Sequence, residues 1–405
     1  MNVVRKILLL GNGESVIPLA LMAKEEGYSI VVIGMDSESI VARNADIFYF
    51  GKFTDKDFCL GIACKEAVNG VLGTTELAMT TAAFIAEKMN LPGNDYSGVN
   101  ILMHKSEFRD LLEKLGMFSP IHISGFEEDA FADKVKTLPF PIIIKPNQSS
   151  GSRGVKILME YDDLNVREAF YLAQSYSSDE IVCAEQYIDA PSRSSFIEFS
   201  VFVLDGKMIY FFPMSDTRTK YCCNVPAQCS LPADLSDEQI QIAKNSIENV
   251  LLATGTRFGE YDVEGFFTSK NQLLIIEINP RRGGGNIQKY IKEHSGVDLT
   301  RLIVQLSVGD RRYFNEIKGR GMLNKYITKQ CVFSGKSGYF RKLEIHPEIK
   351  CFVVAVHLDI KEGDWVEACR DYQDKIGEVV LRFENREQQL EYYGKIEDFL
   401  CVELK

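Results

Sequence analysis

A carboxylate and an amide two residues apart, Glu277 and Asn279, interrupt an otherwise apolar run, LLIIEINPRRGGG, at residues 273–285. In an extended chain the side chains alternate, so these two point to one face. A run this apolar belongs in the interior, and a buried carboxylate needs a partner. A cation fits that requirement. Arg281, Arg282 and three glycines, Gly283 to Gly285, follow directly. A cation, guanidinium groups and a glycine turn together form chemistry suited to handling phosphates.

The preceding strand-like run ends at Phe267 and is joined to this one by the polar loop TSKNQ. A hairpin centred between Lys270 and Asn271 sets Glu264 opposite Glu277 and Asp262 opposite Asn279, on one face. Opposed like charges destabilise a sheet unless something positive sits between them. Hard oxygen donors in such a cluster suit Mg²⁺, which keeps waters and bridges to phosphate. A slipped register would instead leave a plain polar face.

Two further stretches carry candidate chemistry. In FPIIIKPNQSSGSRGV (140–155), Lys145 closes an apolar strand and a small, flexible glycine–serine loop follows. The N–H groups of such a loop can fold around phosphate oxygens, and the lysine adds a point charge. In AEQYI (184–188) a glutamate near a strand end precedes residues whose backbone edges could meet a base. Glu198 could reach a ribose. Both glutamates are equally compatible with solvation.

These residues need elements to hold them. Residues 1 to about 95 alternate strand and helix: a strand at 6–10, a turn at GNGES, a helix at 16–26, a strand at 29–33, a strand end at 71–72 before GTTE, and a helix at 77–89. That is a parallel α/β half-sheet, bounded by the turn residues LPGN at 91–94. A helix is expected at 105–115, strong strands at 141–145 and 181–187, and a hairpin with an Asp-Gly turn over 197–212. The segment 236–255 reads as an amphipathic helix with a capping start at Ser236 and a glycine stop. Residues 311–405 read as a smaller unit of short strands with a terminal helix near 386–400.

The 405 residues suffice for two or three domains. With 57 acidic and 46 basic residues, the net charge of -11 argues against a general nucleic-acid or membrane-surface role. Ten cysteines without framework spacing suit a reducing cytosol, so a cytoplasmic setting is expected. The N-terminal apolar run stops at GNGE, too short for a signal-peptide core. No stretch has the roughly 18 apolar residues a span requires.

In order along the chain, Lys105, Lys145 with its glycine loop, Glu185, Glu198, Glu264 and Glu277-x-Asn279-x-Arg281 resemble the ATP-grasp superfamily. The resemblance covers nearly the whole chain. It implies three parts: a Rossmann-like pre-grasp domain (1–95), an ATP-grasp domain (96–310, its lid subdomain at about 120–187) and a small C-terminal α+β domain (311–405). It implies that Lys105 and Lys145 contact the nucleotide phosphates and that the stretch Gln148, Ser149, Ser150, Gly151, Ser152 to Gly154 covers them. Glu185, Gln186, Tyr187 and Ile188 would hold adenine, largely through backbone groups, and Glu198 the ribose. Glu264, Glu277 and Asn279 would bind two Mg²⁺ ions, with Mn²⁺ also compatible, and Arg281 would stabilise the transferred phosphoryl group. The family's chemistry activates a carboxylate with ATP as an acyl-phosphate and passes it to an amine.

Arg282, Gly283 and Gly284 are where substrate choice is expected to begin, because glycines admit a close ligand and arginine grips a carboxylate. An arginine with paired glycines looks like the L-amino-acid ligases, which join amino acids, and the string at 361–395 resembles their final domain. Other carboxylate–amine ligases, similar to carbamoyl-phosphate synthase or phosphoribosylglycinamide synthetase, are compatible too; the complete carbamoyl-phosphate synthase needs two such modules. Partners are therefore expected to be small-molecule carboxylates and amines, and a homodimer is compatible.

Other readings fare worse. GNGESV with Asp36 is similar to a dinucleotide fingerprint, but Val16 stands where a third glycine is needed, which weakens an NAD-dependent oxidoreductase. Cys222, Cys223 and Cys229 show no C-x-x-C spacing for zinc, and the five histidines are dispersed. A non-catalytic nucleotide-binding regulator would be expected to lose the lysines and metal ligands, all of which are present.

Overall fold

A computed structural model describes residues 4–149, 151 and 153–405; Ser150 and Ser152 of the expected phosphate loop lie outside the described residues. The N-terminal part is a parallel sheet in the order Ile47–Phe50, Ser29–Gly34, Lys6–Leu10, Gly70–Gly73. Its two central strands are buried on both faces, which explains their continuous apolar runs. GTTE leads into the helix Glu76–Met89, whose first turn is capped by Thr75.

Residues from His122 to Gln186 form a second, antiparallel sheet, ordered His122–Gly125, Val182–Gln186, Ile142–Pro146, Lys156–Leu158. Two helices, Glu128–Val135 and Asp163–Tyr176, pack Phe131 and Phe170 against it in a core of its own.

The largest sheet has eight strands: Leu273–Asn279, Phe258–Phe267, Phe196–Leu204, Lys207–Arg218, Pro226–Leu231, Tyr326–Val332, Gly377–Phe383 and Val353–Leu358. The hairpin turn at Asp205 and Gly206 has positive φ at both residues (54° and 74°), the conformation an Asp-Gly pair accepts. The helix Asp237–Ala253 starts at a Ser236–Gln239 capping box and stops before Gly255.

Three features go beyond or revise these expectations. First, residues 311–405 build a core of their own around Ile349, Val379 and Tyr392 and also join the rest. Three of the segment's strands continue the central sheet, and Tyr313, Ile317, Ile327 and Val380 share a core with the N-terminal strands. Nothing local in a strand tells which sheet it will join. Second, the terminal helix ends at Tyr392; Gly394 (φ 72°) breaks it, and a 3₁₀ turn (Ile396–Phe399) and the strand Leu400–Leu404 follow. Third, a helix at Tyr96–Met103 precedes the expected one, which runs Lys105–Lys114.

Candidate active site

A cleft of ≈ 380 Å³ opens between the small antiparallel sheet and the central sheet. Its floor is built by strand register. Asp262 pairs with Asn279 and Glu264 with Glu277, and Glu264 pairs on its other side with Glu198. Glu277, Glu264 and Glu198 therefore form one row across three adjacent strands. Immediately past Glu277 the register shifts, so that Gly265 faces Ile275 and Ile276 is the extra residue.

The bulge has a use. Arg109 packs against it from the helix Lys105–Lys114 and is almost fully buried. Its guanidinium donates to the carbonyls of Ile275 and Ile276, both at 2.9 Å, and to the Glu185 carboxylate at 2.8 and 3.3 Å. Lys145 closes on the same carboxylate from the next strand of the small sheet. Burial alone would raise the Glu185 carboxyl, yet Arg109 and Lys145 hold it well below the ordinary carboxylate range. The roof of the cleft is thus two cations on one anion. The Glu185 carboxylate is thereby fully engaged.

Lys105 bridges roof and floor. Its ammonium lies 3.7 Å from Glu277 and donates to the Ser149 carbonyl at 3.3 Å. Asn279 donates to Glu277 at 2.9 Å. Burial pushes the Glu277 carboxyl up, but Lys105 and then Asn279 bring it below its usual value.

The rest of the floor is short of cations. Burial, then the neighbouring Glu277 and Asp262, push Glu264 up to about 7 against the pull of Arg218. Burial and Asp262 push Glu198 well up, and burial lifts Asp216 to about 6. Arg218 serves both Asp216 (3.0 Å) and Glu264 (3.2 Å). The Asp262 carboxylate binds Arg281 through one oxygen; its other, Oδ1, is buried without a hydrogen-bond partner. The paired carboxylates Glu264 and Glu277 with the Asn279 amide are hard oxygen donors on neighbouring strands, a donor set that fits Mg²⁺. Among the described residues no three His, Cys, Asp or Glu side chains are already gathered around one point; the candidate set here is two carboxylates and the Asn279 amide.

Arg281 reaches the cleft from the turn after the metal-strand candidate. It is clasped by Asp262 and by Glu76, at 2.9 Å, from the first turn of an N-terminal helix. Neither Arg109, Glu76, Arg218 nor Asp216 was expected. The only signal for the last two was their alternate spacing along one strand, which puts both on the inward face.

Most expected residues line the cleft: Lys105, Lys145, Ser149 and Gly151; Glu185 to Ile188; Glu198, Glu264 and Glu277; and Arg281 and Gly284. Five do not. Asn279 is buried beneath Glu277. Gln148 turns to Ser178, and a side chain on Gly154 would strike Tyr176. Gly283 is packed so that a Cβ would meet Glu198 at 2.9 Å. Arg282 points away from Arg281 and its partners. It is buried behind the sheet, donating to Thr300 at 2.7 Å and facing Glu260 at 3.9 Å. It therefore shapes the turn from behind and does not line the cleft.

A cation-lined roof folded over an antiparallel floor of carboxylates is the ATP-grasp fold expected from the sequence. Residues 114–307 match the family model described as D-ala D-ala ligase C-terminus. Among curated proteins, an uncharacterized protein y4rH of Sinorhizobium fredii is 24% identical over 322 residues, covering 77% of this chain and 63% of that protein. The carbamoyl phosphate synthase large chain of Vibrio parahaemolyticus is 22% identical over 323 residues, covering 75% of this chain and 29% of that one. The match thus spans less than two thirds of the length of either relative. Among solved structures, the L-amino acid ligase from Bacillus licheniformis matches with a TM-score of 0.80 at 16% identity, covering 99% of both chains. No described helix is long and apolar enough to cross a membrane.

Proposed function

We propose that this protein is an ATP-dependent carboxylate–amine ligase that activates a small carboxylate as an acyl-phosphate and transfers the acyl group to an amine, releasing ADP and phosphate. The observation that carries the reading is the row Glu277–Glu264–Glu198 facing Lys105, Lys145 and Arg281 across one cleft. Lys105 and Lys145 would neutralise the triphosphate from above. Glu264, Glu277 and Asn279 would hold two divalent cations, Mg²⁺ or Mn²⁺, from below. Bound there, the ions would offset the repulsion between triphosphate and carboxylate and keep the reacting groups in line. Arg281, clasped by two carboxylates, is already oriented and would lie against the charge that moves between phosphoryl and acyl oxygens. Glu185 to Ile188 supply the nucleoside end and Glu198 the ribose. The loop containing Ser149 and Gly151 would exclude water from the acyl-phosphate.

Within this class an amino-acid acceptor is our first choice. The test is phosphate release with Mg-ATP across a matrix of amino acids, with mass analysis of the products. A product of dipeptide mass is expected. Phosphate released only with bicarbonate and ammonia, or only with a phosphorylated amine, would move the protein to a carbamoyl-phosphate-synthase-like or phosphoribosylglycinamide-synthetase-like reaction. ATP binding without turnover on any pair would favour a non-catalytic regulator.

A further inference from the structure

Lys329 is a lysine for which the preceding reading has no use. It sits mid-strand in Tyr326–Val332, is 8% exposed, and lines the same cleft. Lys105, Arg109, Lys145, Arg218 and Arg281 each lie within 4.0 Å of a carboxylate. The Lys329 ammonium forms no hydrogen bond or ion pair among the described residues. Its surroundings are the Cys229 thiol on the paired strand, Cys331, Tyr372 and, farther off, the carboxyl groups of Glu198 and Asp216. Burial opposes the charge of its ammonium. A buried, charged, unpaired lysine aimed into a cleft is costly unless a ligand completes it.

Its position says which part of a ligand. Along the sheet, Lys329 is four strands from Glu264, spacings of ~4.8 Å each. The glycine turn after Arg281 also reaches it: a Cβ on Gly285 would stand 2.5 Å from the Lys329 Nζ and 3.3 Å from the Tyr372 hydroxyl. The carboxylate being activated must lie against the phosphates and metals, so a group held at Lys329 is one that does not react. When two amino acids are joined, the acyl donor keeps an ammonium and the acceptor keeps a carboxylate. Only the second suits a lysine.

Resting on the ligase reading above, we propose that Lys329 docks an unreacted oxyanion of the amine substrate, making it a specificity residue for amines that carry their own carboxylate or phosphate. Gly285 keeps that site open, because any side chain there would occupy it. Ammonia has nothing to place at Lys329.

The experiment offers the twenty amino acids, their carboxamides and O-phosphoethanolamine as amines to the full-length protein with Mg-ATP, and measures product by mass. Wild type is expected to use acids and to discriminate against the amides. Lys329→Gln is expected to raise KM for the accepted amine on the order of ten- to hundredfold with a much smaller change in kcat, and to erase the preference for acid over amide. Lys329→Arg should restore most of it, which separates charge from folding. A preference for O-phosphoethanolamine that Lys329→Gln removes assigns the oxyanion as phosphate. An unchanged KM, or an equal loss toward acid and amide, would overturn the assignment while leaving the ligase reading intact. Absence of any ligated product in wild type would overturn both.

Discussion

The roof and the floor of the cleft solve the burial of charge in opposite ways. In the roof, Arg109 and Lys145 share one carboxylate, Glu185, and the guanidinium also satisfies two carbonyls freed by the bulge at Ile276. That network is complete and carries a surplus cation. In the floor, Glu198, Asp216, Asp262 and Glu264 outnumber Arg218 and Arg281, and three of the four have raised carboxyl pKa values. The roof is preorganised; the floor is unfinished. On the proposed reading, a metal–triphosphate complex presents the matching order, with phosphate toward the surplus cations and metal toward the surplus carboxylates.

The sharpest way to break this contrast is Arg109→Ala. It strands Glu185 with a single cation and leaves two carbonyls unpaired. Breaking a buried pair in this way costs about 3–5 kcal/mol, to be read from urea unfolding; a loss below about 1 kcal/mol would mean the roof is not held by this network. Next come Glu277→Gln and Arg281→Ala, each expected to lower kcat by about 10²–10³-fold in the ligation assay with the fold intact. Retained activity in both would remove the floor from the reaction.

The smallest effect is the most diagnostic of an unfinished floor. The Glu264 carboxyl normally ionises near 4.5 and in the fold near 7. Between those values the native state holds a proton that the unfolded chain has released, so stability falls as pH rises through that window. Asp216, raised from 3.8 to about 6, acts in the same direction slightly lower. Glu264→Gln should flatten the slope of melting temperature against pH between 4.5 and 7, and millimolar Mg²⁺ should flatten it in wild type by replacing the proton. Parallel slopes in all three samples would contradict a cation-seeking floor.

What the sequence revealed of this contrast was uneven. The pairs Asp262–Asn279 and Glu264–Glu277 were legible, but the hairpin centre was not: beside the loop Phe267 faces Leu273, a register centred on Lys270, and it is the bulge at Ile276 that brings Glu264 opposite Glu277. Glu198 was singled out, but not as the third member of that row, since its strand pairs with Phe258–Phe267 from far along the chain. Arg109 was hidden. It neighbours the apolar stripe of Phe108 and Leu112 on an amphipathic helix, where arginines are ordinarily solvated. Lys329 did leave a trace. It is in phase with Ile327 and Cys331, so it was bound to face inward if they did. The continuation of the central sheet beyond residue 310 had no local signal, because strand partners are chosen by tertiary packing.

The clasp between Glu76 and Arg281 bears on how such a protein can be rearranged. One half of the clasp belongs to the N-terminal parallel domain and the other to the carboxylate floor, 205 positions further along the chain. A graft that replaced residues 1–95 with an unrelated Rossmann-like module would keep every residue of the cleft floor, yet leave that arginine with one tether in place of two. The first domain is therefore part of the aiming mechanism, and the two must be inherited, swapped or redesigned together.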